Sequence, residues 1–224
     1  GLVGSEMCIR DRLDTMHACG IEDKDITIIA GYRNDVLKEK FKDTEIQFIV
    51  NESYETTNMV CSLMCARNLM EKESDILISY GDIIYSKEVL DKILQSQDDM
   101  GVIVDDGWYE YWSARCENPL DDAETLMFNE NNYLTEIGQK TNDLNKVQSQ
   151  YIGLMRFKNA GLQAVLDLSA EAKKRSENGK TLWRTERTYA KMYMTDLLQG
   201  LIDENYKLKA VHIQSCLLYT SDAA

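Results

Sequence analysis

The chain has 224 residues, of which 44% are hydrophobic and 28% charged, and its formal net charge is −13. This length and composition fit a single globular domain. The acidic balance argues against a nucleic-acid partner, because phosphate backbones are bound by Lys and Arg. No apolar run reaches the roughly 20 residues of a membrane-spanning helix. The six cysteines form no Cys-x-x-Cys pair, which favours a reducing, cytoplasmic location.

Hydrophobic periodicity predicts that strands and helices alternate along the chain. Short β-branched runs have the length of strands, and apolar residues at three- and four-residue spacing indicate helices. In chain order the predicted elements are a helix that stops at Gly20, strands at 26–29 and 46–50 around a helix at 36–41, a helix at 57–70, a strand at 76–80, a helix at 86–95, strands at 100–104 and 151–157, helices at 160–175 and 190–203, and a strand at 208–213. This alternation predicts an α/β fold with a doubly wound, mostly parallel sheet. Residues 108–148 are polar and less regular.

The two ends of the chain look foreign to the rest. Residues 1–12 and 216–224 resemble peptides that appear when adapter sequence is translated in assembled reads. We therefore expect one native domain at 13–215 that is truncated at both ends. The N-terminus does not have the pattern of a signal peptide either, because charged residues interrupt any apolar core there.

The segment 75–85 carries the clearest single indication of chemistry. An apolar run stops at Tyr80 and Gly81 and is followed by Asp82. In parallel sheets ligands bind beyond the carboxyl ends of the strands, and Gly81 permits a tight turn and a close approach by a ligand. Asp82 is therefore a candidate ligand of a divalent cation in chemistry on a phosphorylated substrate. The alternative, that Asp82 only caps a turn, fits this segment equally well.

Four motifs occur in one order along the chain: Gly31-Tyr-Arg33, the segment from Asn51 to Leu63, Tyr80-Gly-Asp82, and Gln148-Ser-Gln-Tyr-Ile-Gly153. Together they resemble nucleotidyltransferases with a GT-A-like, Rossmann-like fold, particularly the phosphocholine cytidylyltransferase-like branch. The resemblance covers most of residues 13–215. It implies an enzyme that joins an NTP to a small phosphorylated acceptor and releases pyrophosphate, with CTP and phosphocholine as the substrate pair.

The resemblance also implies which residues bind the metal and the nucleotide. Asp82 would be the ligand of Mg²⁺ and thereby a catalytic residue, since Mg²⁺ is usually held by one or two carboxylates together with substrate phosphates. The nucleotide-binding candidates are Thr57, Asn58, Ser62, Tyr80 and Gly81, of which Thr57 and Asn58 are placed to read the base. For Asn58 a second role, capping the helix that begins near Met59, is compatible with the first.

The segment Trp108-Tyr-Glu-Tyr-Trp112 is the densest aromatic cluster of the chain. Aromatic faces beside carboxylates such as Asp106 suit a quaternary ammonium group, so Asp106, Trp108 and Trp112 are candidate acceptor-binding residues. The alternative is that the two indoles, four positions apart, pack one helical face against the core.

Other candidates on the acceptor side follow from the resemblance alone. They are Arg115 and Lys140 as catalytic residues, and Glu136, Gln150 and Gly153 as acceptor-binding residues. An Arg can hold a phosphate through two parallel hydrogen bonds. A surface ion pair with a neighbouring carboxylate accounts for Arg115 equally well.

Two parts of the family's site are expected to be missing. The Gly-rich loop that cradles the triphosphate lies upstream of residue 13 in the family, and the second metal-binding Asp follows a strand like 208–213. We therefore expect the peptide itself to be inactive, although its parent gene encodes an enzyme.

Three other functions remain open from the sequence. A sugar-1-phosphate nucleotidyltransferase would not depend on Trp108 and Trp112 to bind its acceptor. A GT-A glycosyltransferase normally carries an Asp-x-Asp motif, whereas Asp82 is followed by Ile83 and Ile84. A non-catalytic nucleotide-binding domain would have kept the fold and lost the phosphate loop.

Overall fold

Strands and helices alternate along most of the chain in the computed structural model, which describes residues 2–114, 117–120, 123–214 and 217–219. The helices are α1 (Leu2–Ala18), α2 (Asn34–Lys40), α3 (Met59–Met64), α4 (Arg67–Met70), α5 (Lys87–Gln95), α6 (Trp108–Ser113), α7 (Asn159–Glu177) and α8 (Met194–Asp203). The strands are β1 (Thr27–Ala30), β2 (Gln47–Val50), β3 (Asp75–Ser79), β4 (Ile83–Tyr85), β5 (Met100–Asp105), β6 (Glu124–Phe128), β7 (Leu134–Lys140), β8 (Gln150–Lys158), β9 (Lys209–Ile213) and β10 (Leu217–Tyr219). Among the described helices, none combines the length and apolar content needed to cross a membrane.

A four-stranded sheet in the order β3-β8-β5-β9 forms the centre of the fold. β5 and β9 are parallel, whereas β8 runs antiparallel to both β3 and β5. Consequently β3, β5 and β9 point the same way, and their carboxyl ends meet the amino end of β8 at one edge of the sheet. The predicted α/β fold is confirmed, with one reversed strand that the alternation of elements did not predict.

Helices cover both faces of this sheet, as in a doubly wound arrangement. Val102 and Val104 of β5 join the larger core with α7 and α8, whereas Ile103 joins the smaller core with α5. All six residues of β5 are buried. A strand covered on both faces therefore appears in the sequence as a continuous apolar run, which is why it was predicted within a residue of its limits.

β1 and β2 form a separate parallel pair that is connected through α2. Ile29 of β1 and Ile49 of β2 pack against the larger core. The pair therefore lies beside the main sheet, and the chain leaves its two strands at Gly31 and Asn51.

The region 108–148 contains more regular structure than its sequence predicts. β6 and β7 form an antiparallel hairpin whose register shifts between Glu124 and Leu126 and again between Met127 and Phe128. Such irregularities disturb the period-two alternation by which a half-buried strand is recognised. The hairpin docks on α8, where the Ile137 amide donates to the side chain of Gln199 at 2.8 Å.

Two predicted helices are shorter than expected. The helix predicted over 57–70 is divided into α3 and α4, with Cys65 and Ala66 between them. The helix predicted over 190–203 begins at Met194, after a turn of 3-10 helix at Tyr189–Lys191. In both places apolar residues keep their helical spacing although the backbone leaves the α-helical conformation, so the hydrophobic periodicity does not show where the helix breaks or begins.

The first helix passes through the predicted boundary at residue 12 without a break. Arg12 is buried, and its guanidinium donates to the carbonyl oxygens of Tyr80 at 2.7 Å and Ile83 at 3.2 Å. The chain then turns at Gly20, whose φ of +83° favours glycine. The division of the chain at residues 12 and 215 stays a prediction.

Candidate active site

Several predicted site residues lie at the sheet edge where β3 and β5 end. The register pairs Ser79 of β3 with Leu154 and Asp105 of β5 with Gln150, both on β8. The side chains that follow β3 and β5, among them Tyr80, are therefore brought to one edge of the sheet. This is the position at which α/β sheets bind their ligands.

A cavity of about 290 Å³ lies beside this edge, and four of the five predicted nucleotide-binding residues line it. Its polar lining consists of Thr57, Asn58, Ser62 and Tyr80, and its apolar lining of Ile29, Met59, Leu63, Ile78 and Met194. A mostly apolar cavity with a few placed polar groups is typical of a small-molecule site. The fifth predicted residue, Gly81, follows Tyr80 in an exposed turn.

Asn51 forms hydrogen bonds with two hydroxyl groups of this cavity, a role that was not predicted from the sequence. Its side-chain amide donates to the Thr57 hydroxyl at 2.9 Å and to the Ser62 hydroxyl at 3.0 Å. Its side-chain oxygen Oδ1 accepts a hydrogen bond from the backbone amide of Ser53 at 3.0 Å. Because Asn51 is itself buried, these bonds order both hydroxyls before any ligand binds. The one sequence feature that could have indicated this role is the position of Asn51 at the start of the Asn51–Leu63 motif.

Asn51→Ala should lower the free energy of unfolding by about 1–3 kcal/mol, because it leaves buried hydrogen-bonding groups without partners. Urea denaturation measures this loss. Asn131→Ala is the control, since Asn131 is exposed on the β6–β7 turn. Equal stability of the two variants would contradict a structural role for the Asn51 network.

Asn58 caps α3, as one of its two predicted roles requires. Its side-chain oxygen accepts a hydrogen bond from the backbone amide of Met59 at 2.9 Å, and its backbone amide donates to the Ala190 carbonyl at 2.8 Å. These bonds fix the position of Asn58 on the cavity wall. Capping is confirmed, and reading of the base by Asn58 stays a prediction.

Tyr80 and Gly153 pack directly against each other. Gly153 has a φ of +86°, and a Cβ atom there would lie 2.4 Å from Cδ2 of Tyr80. The Tyr80 amide donates to the Gly153 carbonyl at 2.9 Å, and the Tyr80 ring meets Tyr151 edge-on at 5.8 Å. Burial raises the pKa of both phenols, so their hydroxyls stay protonated at neutral pH. In this structure the contact of Gly153 is with Tyr80, on the wall of the cavity.

Asp82 is exposed in the turn between β3 and β4. Its negative charge acts on Tyr80, where it adds to the raised pKa of the phenol. An exposed carboxylate at the carboxyl end of a strand fits the oxygen preference of Mg²⁺, which takes few protein ligands when phosphates supply the others. Asp82 is therefore placed as predicted, and its binding of a metal stays a prediction.

Asp106 interacts with β9 on the side of the sheet away from β3. The Nδ1 atom of His212 lies 3.0 Å from one carboxylate oxygen of Asp106 and 3.1 Å from the other. Phe128 meets the imidazole edge-on at 4.8 Å. Asp106 and Gln150 share the sheet edge with Tyr80, but neither lines the cavity described above.

The two indoles of the aromatic cluster pack against apolar side chains, whereas Tyr109 is exposed. Trp108 is 3% exposed and forms a small apolar cluster with Ala123 and Val147, against which Trp112 also packs. The packing alternative is the one that the structure shows. The indole of Trp108 consequently has little surface left for an ammonium ion.

A second group of polar residues lies where the β6–β7 hairpin meets α8, outside the lining of the cavity, and was not predicted as a site. Glu124 of β6 and Thr195 of α8 both lie close to Gly138 of β7, and burial raises the pKa of the Glu124 carboxyl group. The charge of Glu124 also acts on Tyr80, and Met194, next to Thr195, lines the cavity. The residue that caps the start of α8 is Tyr193.

Arg187 and Asp196 complete this group. Arg187 pairs with the buried carboxylate of Asp196 at 2.9 Å and stacks on the ring of Tyr193 at 4.2 Å. Asp196 also accepts from the Tyr193 amide at 2.8 Å, which fixes the start of α8. Both charges of this pair are thus satisfied within the protein.

The remaining candidates lie on or near the hairpin. Glu136 pairs with Arg184 at 3.4 Å, a partly exposed contact of low expected energy. Lys140 is exposed and lies opposite Glu124 in the register of β6 and β7. Arg115 lies outside the described residues.

Comparison with known proteins identifies similar enzymes, although no family model matches the sequence. CTP:phosphoglutamine cytidylyltransferase of Campylobacter jejuni is 34% identical over 206 residues, which span 90% of this chain and 78% of that protein. Among solved structures, the inositol-1-phosphate CTP transferase from T. maritima has a TM-score of 0.64 at 15% identity, over 94% of this chain and 74% of that one. The CTP:phosphocholine cytidylyltransferase from Streptococcus pneumoniae has a TM-score of 0.62 at 11% identity, over 93% and 77%. The two structures share the fold described above.

Proposed function

The chain belongs to the cytidylyltransferase family of nucleotidyltransferases, and from this premise we propose that it transfers CMP from CTP to a phosphorylated acceptor and releases pyrophosphate. The observation that supports the proposal most strongly is the cavity that Thr57, Asn58, Ser62 and Tyr80 line. It adjoins the strand end that carries Asp82. These residues lie in the motifs on which the sequence resembles the family.

The proposed reaction needs no covalent enzyme intermediate. An oxygen of the acceptor phosphate attacks the α-phosphorus of CTP and forms a new P–O bond. The bond from the α-phosphorus to the bridging oxygen breaks, and its electron pair leaves with pyrophosphate. The protein contributes orientation and charge neutralisation, which together account for most catalysis in phosphoryl chemistry.

Mg²⁺ is proposed as the cofactor, held by Asp82 and the phosphates of CTP. When bound, it would neutralise phosphate charge and polarise a phosphoryl oxygen. The remaining work falls to the cavity. The Asn51 network holds the Thr57 and Ser62 hydroxyls in place, and Asn58 is fixed by its cap to α3, so that these polar groups are ordered for the base before CTP arrives.

The acceptor is a second part of the proposal. The relatives named above act on phosphoglutamine, inositol-1-phosphate and phosphocholine. Phosphocholine stays one of the acceptors to be tested, although Trp108 is packed in an apolar cluster.

Nucleotide preference tests the proposal. The full-length gene product is supplied with a phosphorylated acceptor, Mg²⁺, and CTP, UTP, ATP or GTP in turn, and pyrophosphate is measured. We expect release with CTP at a kcat/KM at least about tenfold above that with the other three, the discrimination that one well-placed hydrogen-bonding contact supplies. Preference for another NTP with a sugar 1-phosphate as acceptor would favour the sugar-1-phosphate nucleotidyltransferase alternative.

A cytoplasmic location is the last part of the proposal. The described cysteines Cys19, Cys61 and Cys65 are free thiols. Free thiols are usual in reducing compartments, where the pools of CTP and phosphorylated metabolites also lie.

A further inference from the structure

The hydrogen bonds around Asn51 fix which way its side-chain amide faces. The backbone N–H of Ser53 can only donate, so the atom 3.0 Å from it is the Oδ1 oxygen of Asn51. The Nδ2 atom therefore faces Thr57 and Ser62, and it donates one hydrogen to each hydroxyl, at 2.9 and 3.0 Å. Both hydroxyls thus act as acceptors toward Asn51.

This arrangement leaves the Thr57 hydroxyl as an acceptor only. Its own proton is donated to the Ser53 carbonyl at 2.8 Å, and one of its lone pairs accepts from Asn51. What remains for a ligand is the second lone pair. A ligand group that donates a hydrogen bond can meet Thr57, whereas another acceptor placed there would be repelled.

The Ser62 hydroxyl and the Asn58 amide are left as donors. Ser62 accepts from Asn51, and within the described part of the chain no hydrogen bond uses its proton. The Oδ1 atom of Asn58 is occupied by the Met59 amide at 2.9 Å, and its Nδ2 atom donates to none of the described residues. Because Ser62 and Asn58 line the cavity, their hydrogens are available to a ligand bound there.

The three groups follow one another in a fixed order along the cavity wall. Thr57 and Ser62 are neighbours because both are bound to one nitrogen atom of Asn51. Ser62 and Asn58 are neighbours because they are one helical turn apart, and the Ser62 amide donates to the Asn58 carbonyl at 3.1 Å. Ser62 is therefore the middle member, and the wall offers an acceptor, a donor and a donor in turn.

We propose that this wall selects cytosine over uracil, with Thr57 as the specificity-determining residue and Asn51 as the residue that positions it. Along its pairing edge cytosine carries a donor, the N4 amino group, and then two acceptors, N3 and O2, which is the complementary order. Uracil carries an acceptor, a donor and an acceptor. Its O4 would face the remaining lone pair of Thr57, and its N3–H would face the proton of Ser62. The inference rests on the proposed function and names how the same site distinguishes CTP from UTP.

The size and lining of the cavity suit a single pyrimidine ring. Its volume of about 290 Å³ is near the lower limit of small-molecule pockets, roughly 300–1,000 Å³. Ile29, Leu63 and Ile78 supply apolar surface for the faces of the ring. The apolar lining makes an unmatched polar group of the base costly, because few other partners are available to it.

Direct binding of nucleotides tests the proposal without an acceptor. The full-length protein is titrated calorimetrically, with Mg²⁺ present, with CTP, UTP and the 5′-triphosphate of 2-pyrimidinone riboside, whose base lacks the N4 amino group and keeps N3 and O2. We expect the 2-pyrimidinone nucleotide to bind about 3–10-fold more weakly than CTP, the loss of one neutral hydrogen bond. UTP should bind about 10–100-fold more weakly than CTP, because uracil also leaves polar groups mismatched.

Thr57→Val should remove the distinction at position 4 of the base. Valine keeps the shape of threonine but has no lone pair, so CTP should bind as weakly as the 2-pyrimidinone nucleotide. The ratio of the affinities for CTP and UTP should fall about tenfold, because CTP loses a hydrogen bond and UTP loses a repulsion. Thr57→Ser, which keeps the hydroxyl, should retain the wild-type order.

Thr56→Val is the matched control. The Thr56 hydroxyl donates to the same Ser53 carbonyl, at 3.2 Å, but Thr56 is exposed and does not line the cavity. The variant therefore removes the same group from the neighbouring residue of the loop. It should keep the wild-type affinities for all three nucleotides.

Asn51→Asp separates positioning of the hydroxyls from a purely structural role. The two side chains have the same shape, but a carboxylate accepts where the amide donated, so it draws the Ser62 proton away from the ligand. CTP should lose about tenfold in affinity relative to UTP, whereas simple damage to the loop would weaken all three nucleotides alike. Should Asn51→Asp fail to fold, Thr57→Val and its control decide the question.

Two results would overturn the inference and leave the proposed function intact, since CTP still binds in both. One is equal affinity of the wild type for CTP and the 2-pyrimidinone nucleotide. The other is a preference for CTP over UTP that survives Thr57→Val undiminished. By contrast, absence of binding by all three nucleotides contradicts the proposed function itself.

Discussion

Asp82→Asn should lower the rate of pyrophosphate release from CTP by about 10²–10³-fold, a loss comparable to that of one electrostatic contact with a transition state. The physical reason is the loss of a negative ligand at the end of β3, where the proposed metal must meet the phosphates. The side chain keeps its shape, so folding should be unaffected. Pyrophosphate release at saturating CTP, with Mg²⁺ varied, is the measurement.

Asp167→Asn is the control for this variant, because Asp167 is exposed on α7, where it accepts a hydrogen bond from Gln163 at 2.8 Å. It should keep wild-type activity. If Asp82→Asn retained most of the activity at every Mg²⁺ concentration, the metal role of Asp82 would be wrong, and the turn-capping alternative would replace it.

Gly153→Ala should lower the free energy of unfolding by about 2–4 kcal/mol, the sum of backbone strain at positive φ and overpacking in a filled space. The new Cβ atom would lie 2.4 Å from the Tyr80 ring. Tyr80 must then move, and because it lines the cavity, the KM for CTP should rise as well. Urea denaturation and steady-state kinetics measure the two effects.

Gly179→Ala separates the two contributions to that loss. Gly179 also has a positive φ, +68°, but apart from its two chain neighbours no described residue has an atom within 4 Å of the position that a Cβ atom would take there. It should therefore show the strain alone, about 1 kcal/mol, and an unchanged KM for CTP. Equal effects of the two variants would mean that the contact between Gly153 and Tyr80 is not tight.

The parts of the fold that the sequence predicts well are those in which burial alone determines the residue type. β5 is an example, since both of its faces are covered and its residues form a continuous apolar run. The direction of β8 could not be predicted, because burial on both faces produces the same pattern in parallel and antiparallel strands. Gly153 on this strand was predicted as an acceptor-binding residue, and its packing against Tyr80 was not predicted.

The candidate site was predicted where one segment carries several of its residues. Thr57, Asn58 and Ser62 lie within one motif, and they do line one cavity together with Tyr80. The group around Glu124 was missed for the opposite reason. Its members come from β6, β7 and α8. The register shifts of the hairpin disturb the alternation of apolar and polar residues, so the strand on which Glu124 lies was not predicted. Contacts between residues so far apart in sequence are set by tertiary packing.

The aromatic cluster shows how one pattern supports two interpretations. Trp108 and Trp112 have the spacing of a helical face and the chemistry of a cation-binding site. α6 places Trp108 against Ala123 and Val147, and burial of a large apolar ring outweighs the smaller cation–π energy. Composition alone cannot show which interaction prevails, because the apolar partners follow later in the chain.

The central claim, transfer of CMP to a phosphorylated acceptor, is tested most directly by following the phosphates of CTP. Full-length enzyme is incubated with the preferred acceptor and with CTP labelled at either the α- or the γ-phosphate. We predict that the α label appears in a diphosphate-linked CDP product and the γ label in pyrophosphate, in equal amounts. Appearance of the γ label on the acceptor, or consumption of a nucleotide-sugar without pyrophosphate release, would contradict the account.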